Sequence, residues 1–221
     1  LPLTPDVPVL REHFGDDQGA ITIFARVAAT LVGATKMDRP EWVAVPLHQG
    51  IGKPLGDIYC SLSNNNKRRT EDENAANPRA NNLWGHILRW REDDGDATGT
   101  KFSWDVFLKG GNQTHPEVEH RGDVPVVEPR HDFGSPDGVF LDARGVLWVQ
   151  TDVSSSTINS GAYRGMGNNQ IMAVDPSTKE VRRFLVGPRG CEVTGITQTP
   201  DARTMFVNIQ HPGERPDDTP S

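Results

Sequence analysis

The chain has few cysteines and no long apolar run, and each of these features excludes a class of protein. Its 221 residues contain two cysteines, Cys60 and Cys191, and no CxxC pair, which excludes a zinc ribbon and a thioredoxin-type motif. The sequence does not fix whether these two thiols are close enough to form a disulfide. No apolar stretch reaches the roughly 18–20 residues of a membrane-spanning helix, and no segment has the pattern of a signal peptide. We therefore expect no membrane span.

Acidic residues outnumber basic ones, 30 to 23. The formal net charge is −7 and there is no long run of Lys or Arg, so nucleic acid is not an expected partner. The sequence has no GxSxG elbow and no GxxxxGK[ST] phosphate loop. An acidic chain that acts on an anionic substrate needs bound cations or a focused arginine to offset the repulsion.

Glycine and proline are abundant, with 22 and 17 residues respectively, and they favour short strands joined by turns over a helical bundle. The pattern predicts one amphipathic helix, Gln18–Val32, with Asp16 or Asp17 as its cap and Gly33 at its end. Residues 1–16 are predicted to be an extended lead-in. The first unit of the chain is therefore predicted at residues 1–35.

The most informative feature is an internal repeat. Three segments share one layout, in which an acidic residue opens a short strand, a turn follows, and an apolar strand ends in polar residues. The paired strands are Pro40–Val45 with Asp57–Asn64, Pro136–Leu141 with Val146–Asp152, and Cys191–Ile196 with Thr204–His211. Each pair is expected to form an antiparallel inner part of one repeat.

Two further hairpins follow the first two repeats. Gly85–Trp90 is predicted to pair with Phe102–Phe107, and Gln170–Asp175 with Glu180–Leu185. An inner strand, a second strand and an outer hairpin together make the four-stranded blade of a β-propeller. We therefore predict an all-β fold, a partial propeller of about two to three blades over residues 36–214, followed by a polar tail at 215–221.

A closed propeller needs about four to eight blades, more than this chain supplies. The sequence is therefore predicted to be a piece of a longer propeller, or to pack against another copy of itself. Open blade edges expose unpaired backbone groups and apolar surface, so self-association through these edges is an expected alternative.

The three repeat acids are Glu41, Asp137 and Glu192. Each opens an innermost strand, and such strands line the central channel of a propeller, so the three carboxylates are predicted to lie close together. Like charges at short range repel, and such a cluster normally binds cations. Carboxylate oxygens favour calcium, magnesium or ferric iron. The alternative is that each acid accepts a hydrogen bond from a backbone N–H at its own strand start.

Arg39 precedes the first acid, and its guanidinium is suited to binding a phosphate in a bidentate manner. The alternative is a salt bridge to Asp38 or Glu41. Polar residues also end the second strands of the repeats, where they can add metal ligands or orient a substrate. We predict Asp152 as a metal ligand, and Asn64 and His211 as substrate-binding residues.

The same residues resemble the PhoX family of alkaline phosphatases. The similarity extends over about residues 20–214 and includes long ungapped words. These are Gly33–Trp42 (GATKMDRPEW), Ala75–Ala80 (AANPRA), Gly85–Trp90 (GHILRW), Ser135–Gly138 (SPDG), Gly167–Gln170 (GNNQ), Cys191–Gly195 (CEVTG) and Phe206–Glu214 (FVNIQHPGE).

This resemblance implies an exported phosphomonoesterase, usually targeted by a twin-arginine signal and periplasmic or secreted. It implies a propeller whose active site holds calcium and ferric iron and whose partners are small phosphate esters. Arg39 is implied to contact phosphate, Glu41 to be a catalytic metal ligand, and Asp137 and Glu192 to be further metal ligands.

Only the C-terminal half of the family resembles this chain. The resemblance places the iron-binding cysteine of the family in the other half, so neither Cys60 nor Cys191 is given that role. Two alternatives stay open. One is another calcium-dependent propeller hydrolase, such as a lactonase-like enzyme, against which the word Met37–Glu41 argues. The other is a catalytically incomplete propeller fragment.

Overall fold

The structure is a computed structural model that describes residues 2–46, 56–112 and 132–214. The predicted tail at 215–221 lies outside these residues. Within them the fold is mostly antiparallel β-sheet, with three short α-helices at the start and short 3-10 helices at Thr70–Asp72, Asp93–Gly95 and Gly161–Tyr163. The described residues contain no helix with the length and hydrophobicity needed to cross a membrane.

The N-terminal segment is more helical than predicted. The helices are α1 (Pro8–Phe14), α2 (Gln18–Ile23) and α3 (Ala25–Leu31). The prediction of an extended lead-in is wrong for α1, in which a proline occupies the first turn, where its missing N–H costs nothing. The prediction of one helix over Gln18–Val32 is wrong at Phe24, whose φ of −97° and ψ of 34° break the run.

Local sequence and packing explain that break. Ile21, Thr22 and Ile23 are β-branched and weaken a helix at this point. The turn at Phe24 then lets the three helices pack around their own fully buried side chains, Leu10, Ile21 and Ala28. The predicted ends are present, because the Asp17 carboxylate accepts the Ala20 N–H at 2.9 Å and Gly33 follows α3 with a φ of 70°.

Three antiparallel sheets follow, each with its strands in sequence order. The first is β1 (Pro40–Ala44), β2 (Ile58–Leu62), β3 (His86–Glu92) and β4 (Phe102–Lys109); the second is β5 (Pro136–Leu141), β6 (Leu147–Thr151), β7 (Gln170–Val174) and β8 (Val181–Val186); the third is β9 (Glu192–Gln198) and β10 (Met205–Gln210). The predicted strand pairs are therefore present. The three sheets do not close on one another within the described residues, so the structure supports a β-rich fold and leaves the propeller a prediction.

The sheets stack through their side chains. Residues of the first and second sheets share a buried apolar core that includes Tyr59, Ile87, Phe107, Val139 and Val149. Burial of each such side chain stabilises the fold by about 1.5–3 kcal/mol. A second cluster, containing Ile171, Cys191 and Val193, joins the second sheet to the third. This stacking brings β1 against β5, and β5 against β9.

The first and third sheets, at the two ends of this stack, contain exposed apolar side chains. Trp42 and Val43 are exposed on β1, and Phe206 and Ile209 are exposed on β10. Such surface is typical of contact with further protein. Self-association through these faces stays a prediction.

Candidate active site

Each inner strand begins with the same unusual backbone turn. The residue two positions before each repeat acid has a positive φ, which is 50° at Arg39, 50° at Ser135 and 68° at Gly190. Non-glycine residues rarely adopt this conformation, and those that do occur often at functional sites. The shared turn starts β1, β5 and β9 in the same way and directs the following acids to one end of the stack.

Three carboxylates meet at that end. Oxygen atoms of Asp137, Asp152 and Glu192 all lie within 4.8 Å of one another. An ion about 2.4 Å from each ligand oxygen, as calcium requires, fits between oxygens at such separations. Asp137 and Glu192 are half-buried and Asp152 is exposed, so the cluster faces solvent on one side.

The predicted repeat acids are therefore only partly brought together. Asp137 and Glu192 meet, and their third partner is Asp152 from the end of β6. Glu41 lies beside this cluster, where its Oε1 is 3.6 Å from Nη2 of Arg39 and accepts a hydrogen bond from Ser63 Oγ at 3.4 Å. The salt bridge to Arg39 is the alternative that the sequence left open.

The cluster shifts the proton affinity of its members upward. Burial, followed by the charges of Glu41 and Asp152, raises the pKa of Asp137. The pKa of Asp152 is raised by partial desolvation of its carboxyl group, although the residue as a whole is exposed, against the opposing effect of Arg39. The pKa of Glu192 is raised by burial and by the charges of Asp152 and Asp137. The negative form of the cluster is thus unfavourable without a cation.

These shifts predict an unusual pH dependence for the metal-free chain. A carboxyl whose folded pKa exceeds its unfolded pKa stabilises the fold at low pH, and this contribution is lost as the pH rises through the folded pKa. Lowering the pH from 7 to 5 should therefore raise the Tm of the wild type in EDTA relative to that of a D137N/D152N/E192Q variant. Differential scanning calorimetry measures this difference. The same pH slope in both proteins would contradict the expected coupling.

Arg39 connects the first repeat to the second. Its Nη1 donates a hydrogen bond to Asn64 Oδ1 at 3.1 Å, and Asn64 Nδ2 donates to Ser135 Oγ at 3.1 Å. The Arg39 side chain is 61% exposed, so part of its guanidinium faces solvent. Guanidinium N–H groups in this position are suited to binding an oxyanion.

His211 follows the end of β10, near Glu192. Gln210 Nε2 donates a hydrogen bond to Glu192 Oε2 at 3.0 Å and lies 2.8 Å from Nε2 of His211. The charge of His211 lowers the pKa of Asp152 and of Glu192, against the larger effect of their burial. His211 is therefore within electrostatic reach of the carboxylates, and it has a positive φ of 52°.

Two residues of the site were not identified from the sequence. Ser135 Oγ and Tyr163 OH lie 2.8 Å apart, and the Tyr163 hydroxyl donates to the Leu83 carbonyl. Burial raises the pKa of Tyr163 to about 12, so its hydroxyl stays protonated at neutral pH. The available signal was a single tyrosine in a loop rich in Ser, Gly and Asn.

The two cysteines have no part in this arrangement. Both are buried free thiols. Burial, with a further effect of the Glu41 charge, raises the pKa of Cys60 to about 11, and burial also raises the pKa of Cys191. Neither is a ready thiolate ligand, since the thiolate is the form that binds metals.

Comparison with known proteins gives one family. The sequence model of the alkaline phosphatase PhoX family matches residues 2–213. Among solved structures, Pseudomonas fluorescens PhoX in complex with vanadate, a transition state analogue, is 46% identical, with a TM-score of 0.78. The match covers 92% of this chain and 35% of that chain. No curated protein matches. The chain therefore belongs to the PhoX family of alkaline phosphatases.

Proposed function

We propose that this chain provides part of the active site of a phosphoric monoester hydrolase of the PhoX type. The observation behind the proposal is the three-carboxylate cluster of Asp137, Asp152 and Glu192 with Arg39 nearby. Hydrolysis of a phosphate ester is favoured by cations that neutralise the phosphoryl oxygens and by a guanidinium that binds them. The carboxylate cluster can hold such cations, and Arg39 supplies the guanidinium. The vanadate complex of the Pseudomonas fluorescens relative supports this proposal, because vanadate resembles phosphate in shape and charge.

The cluster suits hard cations. Its ligand atoms are all carboxylate oxygens, which fit calcium and ferric iron better than soft metals. Asp137, Asp152 and Glu192 would hold such ions, and Glu41 is close enough to raise the pKa of Asp137 and of Asp152. Bound cations would supply charge neutralisation and Lewis acidity for phosphoester hydrolysis.

The remaining residues bind and orient the substrate. Arg39 would bind phosphoryl oxygens with the guanidinium N–H groups that face solvent, while Asn64 fixes the direction of its side chain through Nη1. Glu41 pairs with the same guanidinium and holds it near the carboxylates. His211, near Glu192, would contact the substrate from there.

The two alternatives differ from this proposal in observable ways. In a lactonase-like site an asparagine is a calcium ligand, whereas the Asn64 amide contacts Arg39 and Ser135. An incomplete fragment is the stronger alternative for the chain alone, because the chain spans 35% of the length of the PhoX structure that it matches. A periplasmic or secreted location follows from family membership and is part of the proposal.

The test is hydrolysis of p-nitrophenyl phosphate by the full-length gene product that contains this sequence. We expect turnover that EDTA abolishes and that calcium with ferric iron restores, and no hydrolysis of a lactone. The 221-residue chain, assayed in parallel, shows whether it is sufficient. Turnover of the lactone alone, or phosphatase activity indifferent to chelation, would refute the proposal.

A further inference from the structure

A buried carboxylate lies directly before Arg39 in the sequence. Asp38 is fully buried, and its oxygens accept three hydrogen bonds, from Arg68 Nε at 2.6 Å, Asn65 Nδ2 at 2.9 Å and Asn82 Nδ2 at 3.0 Å. Its own backbone N–H donates to Asn77 Oδ1 at 2.9 Å. The Arg68 side chain is 7% exposed, so the ion pair is removed from solvent on both sides.

All of these partners come from the segment between β2 and β3. Arg68 also donates to the carbonyls of Lys36 and Asp72, and Asn77 donates to the Lys36 carbonyl at 2.7 Å. The segment thus folds back over the start of β1 and holds the backbone at residues 36 and 38. A buried ion pair is weak evidence for net stability, because desolvation offsets its attraction. A role in fixing one conformation accounts better for its presence.

The conformation in question is that of Arg39. Its φ of 50° is unfavourable for a residue with a side chain, so neighbouring groups must hold it. On the N-terminal side of Arg39, hydrogen bonds hold Asp38 in place, and on its C-terminal side the ring of Pro40 restricts the backbone. The Arg39 carbonyl also accepts a hydrogen bond from the Ser63 N–H at 3.1 Å. In this conformation the Arg39 guanidinium reaches Asn64 and Glu41.

We propose that Asp38, through its buried ion pair with Arg68, is the positioning residue that sets the Arg39 guanidinium for phosphate binding. This inference rests on the proposed function. Asn in place of Asp38 keeps the size of the side chain but removes the charge that pairs with Arg68, and it turns one acceptor into a donor facing other donors. Arg39 then loses the support for its left-handed conformation.

The experiment is a double-mutant cycle with vanadate as the probe, measured as inhibition of p-nitrophenyl phosphate hydrolysis by the metal-loaded full-length gene product. We expect Asp38→Asn to weaken vanadate inhibition about tenfold when Arg39 is present, and at most about twofold when Arg39 is already alanine. Metal content should be unchanged. The control is Asp105→Asn, which breaks the Arg89–Asp105 pair of β3 and β4 and should lower the Tm without changing vanadate affinity.

The outcomes distinguish failure of the proposed function of Arg39 from failure of the positioning role of Asp38. If Arg39→Ala leaves vanadate affinity unchanged, the proposed function of Arg39 fails. If Arg39→Ala weakens vanadate binding but Asp38→Asn does not, or does so equally in both backgrounds, the positioning role is wrong. Loss of metal in Asp38→Asn would likewise overturn it. Arg68→Lys, which keeps the charge and loses the guanidinium fork, should show the same coupling to a smaller extent and serves if Asp38→Asn does not fold.

Discussion

Replacement of Arg39 by alanine should lower kcat/KM for p-nitrophenyl phosphate by about 10²–10³-fold in the full-length gene product. The guanidinium is partly exposed, lies beside the carboxylate cluster, and is the group placed there by the Asn64 hydrogen bond. Charge that develops on the phosphoryl oxygens would lose a fixed donor. Steady-state kinetics under saturating calcium and iron measures the effect.

Two matched variants test whether that loss is specific to the guanidinium of Arg39. Arg39→Lys keeps the positive charge but loses the planar fork, so we expect a smaller loss. Arg182→Ala removes an exposed arginine that pairs with Glu180 near the start of β8, and it should leave kcat/KM unchanged. Equal activity of Arg39→Ala and the wild type would show that Arg39 serves only its salt bridge with Glu41.

Asp152→Asn should weaken calcium binding by at least about 100-fold, because it removes one of three clustered carboxylates. The same substitution should raise the Tm of the metal-free chain, since it removes a charge that raises the pKa of Glu192 and of Asp137. A substitution that lowers metal affinity but raises the stability of the metal-free chain is typical of a binding site and not of a structural ion pair. Isothermal titration with calcium and calorimetry in EDTA measure the two quantities.

The matched control for this variant is Asp175→Asn. Asp175 is an acid at the turn after β7, and it accepts hydrogen bonds from the backbone N–H and hydroxyl of Ser177. Its replacement should leave calcium affinity unchanged and should not stabilise the metal-free chain. If calcium affinity were the same in Asp152→Asn and Asp175→Asn, the cluster would not be the metal site.

The sheets followed from the sequence because their signals are local. Alternating apolar residues, turn residues and the repeat layout predicted the strand pairs of all three sheets. The helical region that contains α2 and α3 was also predicted, but α1 and the break at Phe24 were not, because both depend on mutual packing around Leu10, Ile21 and Ala28.

The site was predicted only in part for a similar reason. Repeat register indicated that acids of different repeats approach one another, as Asp137 and Glu192 do, and Asp152 was predicted separately as a polar residue that ends a second strand. The sequence did not indicate that Asp152 would be the third member of the cluster in place of Glu41. Strand pairing alone does not separate these acids: Glu41 and Asp137 lie within matching irregular pairings, of β1 with β2 and of β5 with β6, whereas Glu192 pairs directly with Gln210.

The buried pairing of Asp38 with Arg68 could not be predicted from the sequence. Its partner Arg68 is 30 residues away, in a polar segment whose composition predicts a solvated loop. Charged side chains are almost never fully buried unless they are paired, so the general expectation is an exposed position. Only the folded path of residues 64–82 across the start of β1 shows the pair.

The most direct test is equilibrium binding of vanadate to the full-length gene product with and without metal. We predict that vanadate binds in competition with phosphate only when the carboxylate cluster is loaded with calcium and iron, and that Arg39→Ala weakens this binding. Equal vanadate affinity in EDTA and in the presence of metal would contradict the proposed site, because the oxyanion would then bind without the cations that Asp137, Asp152 and Glu192 are proposed to hold.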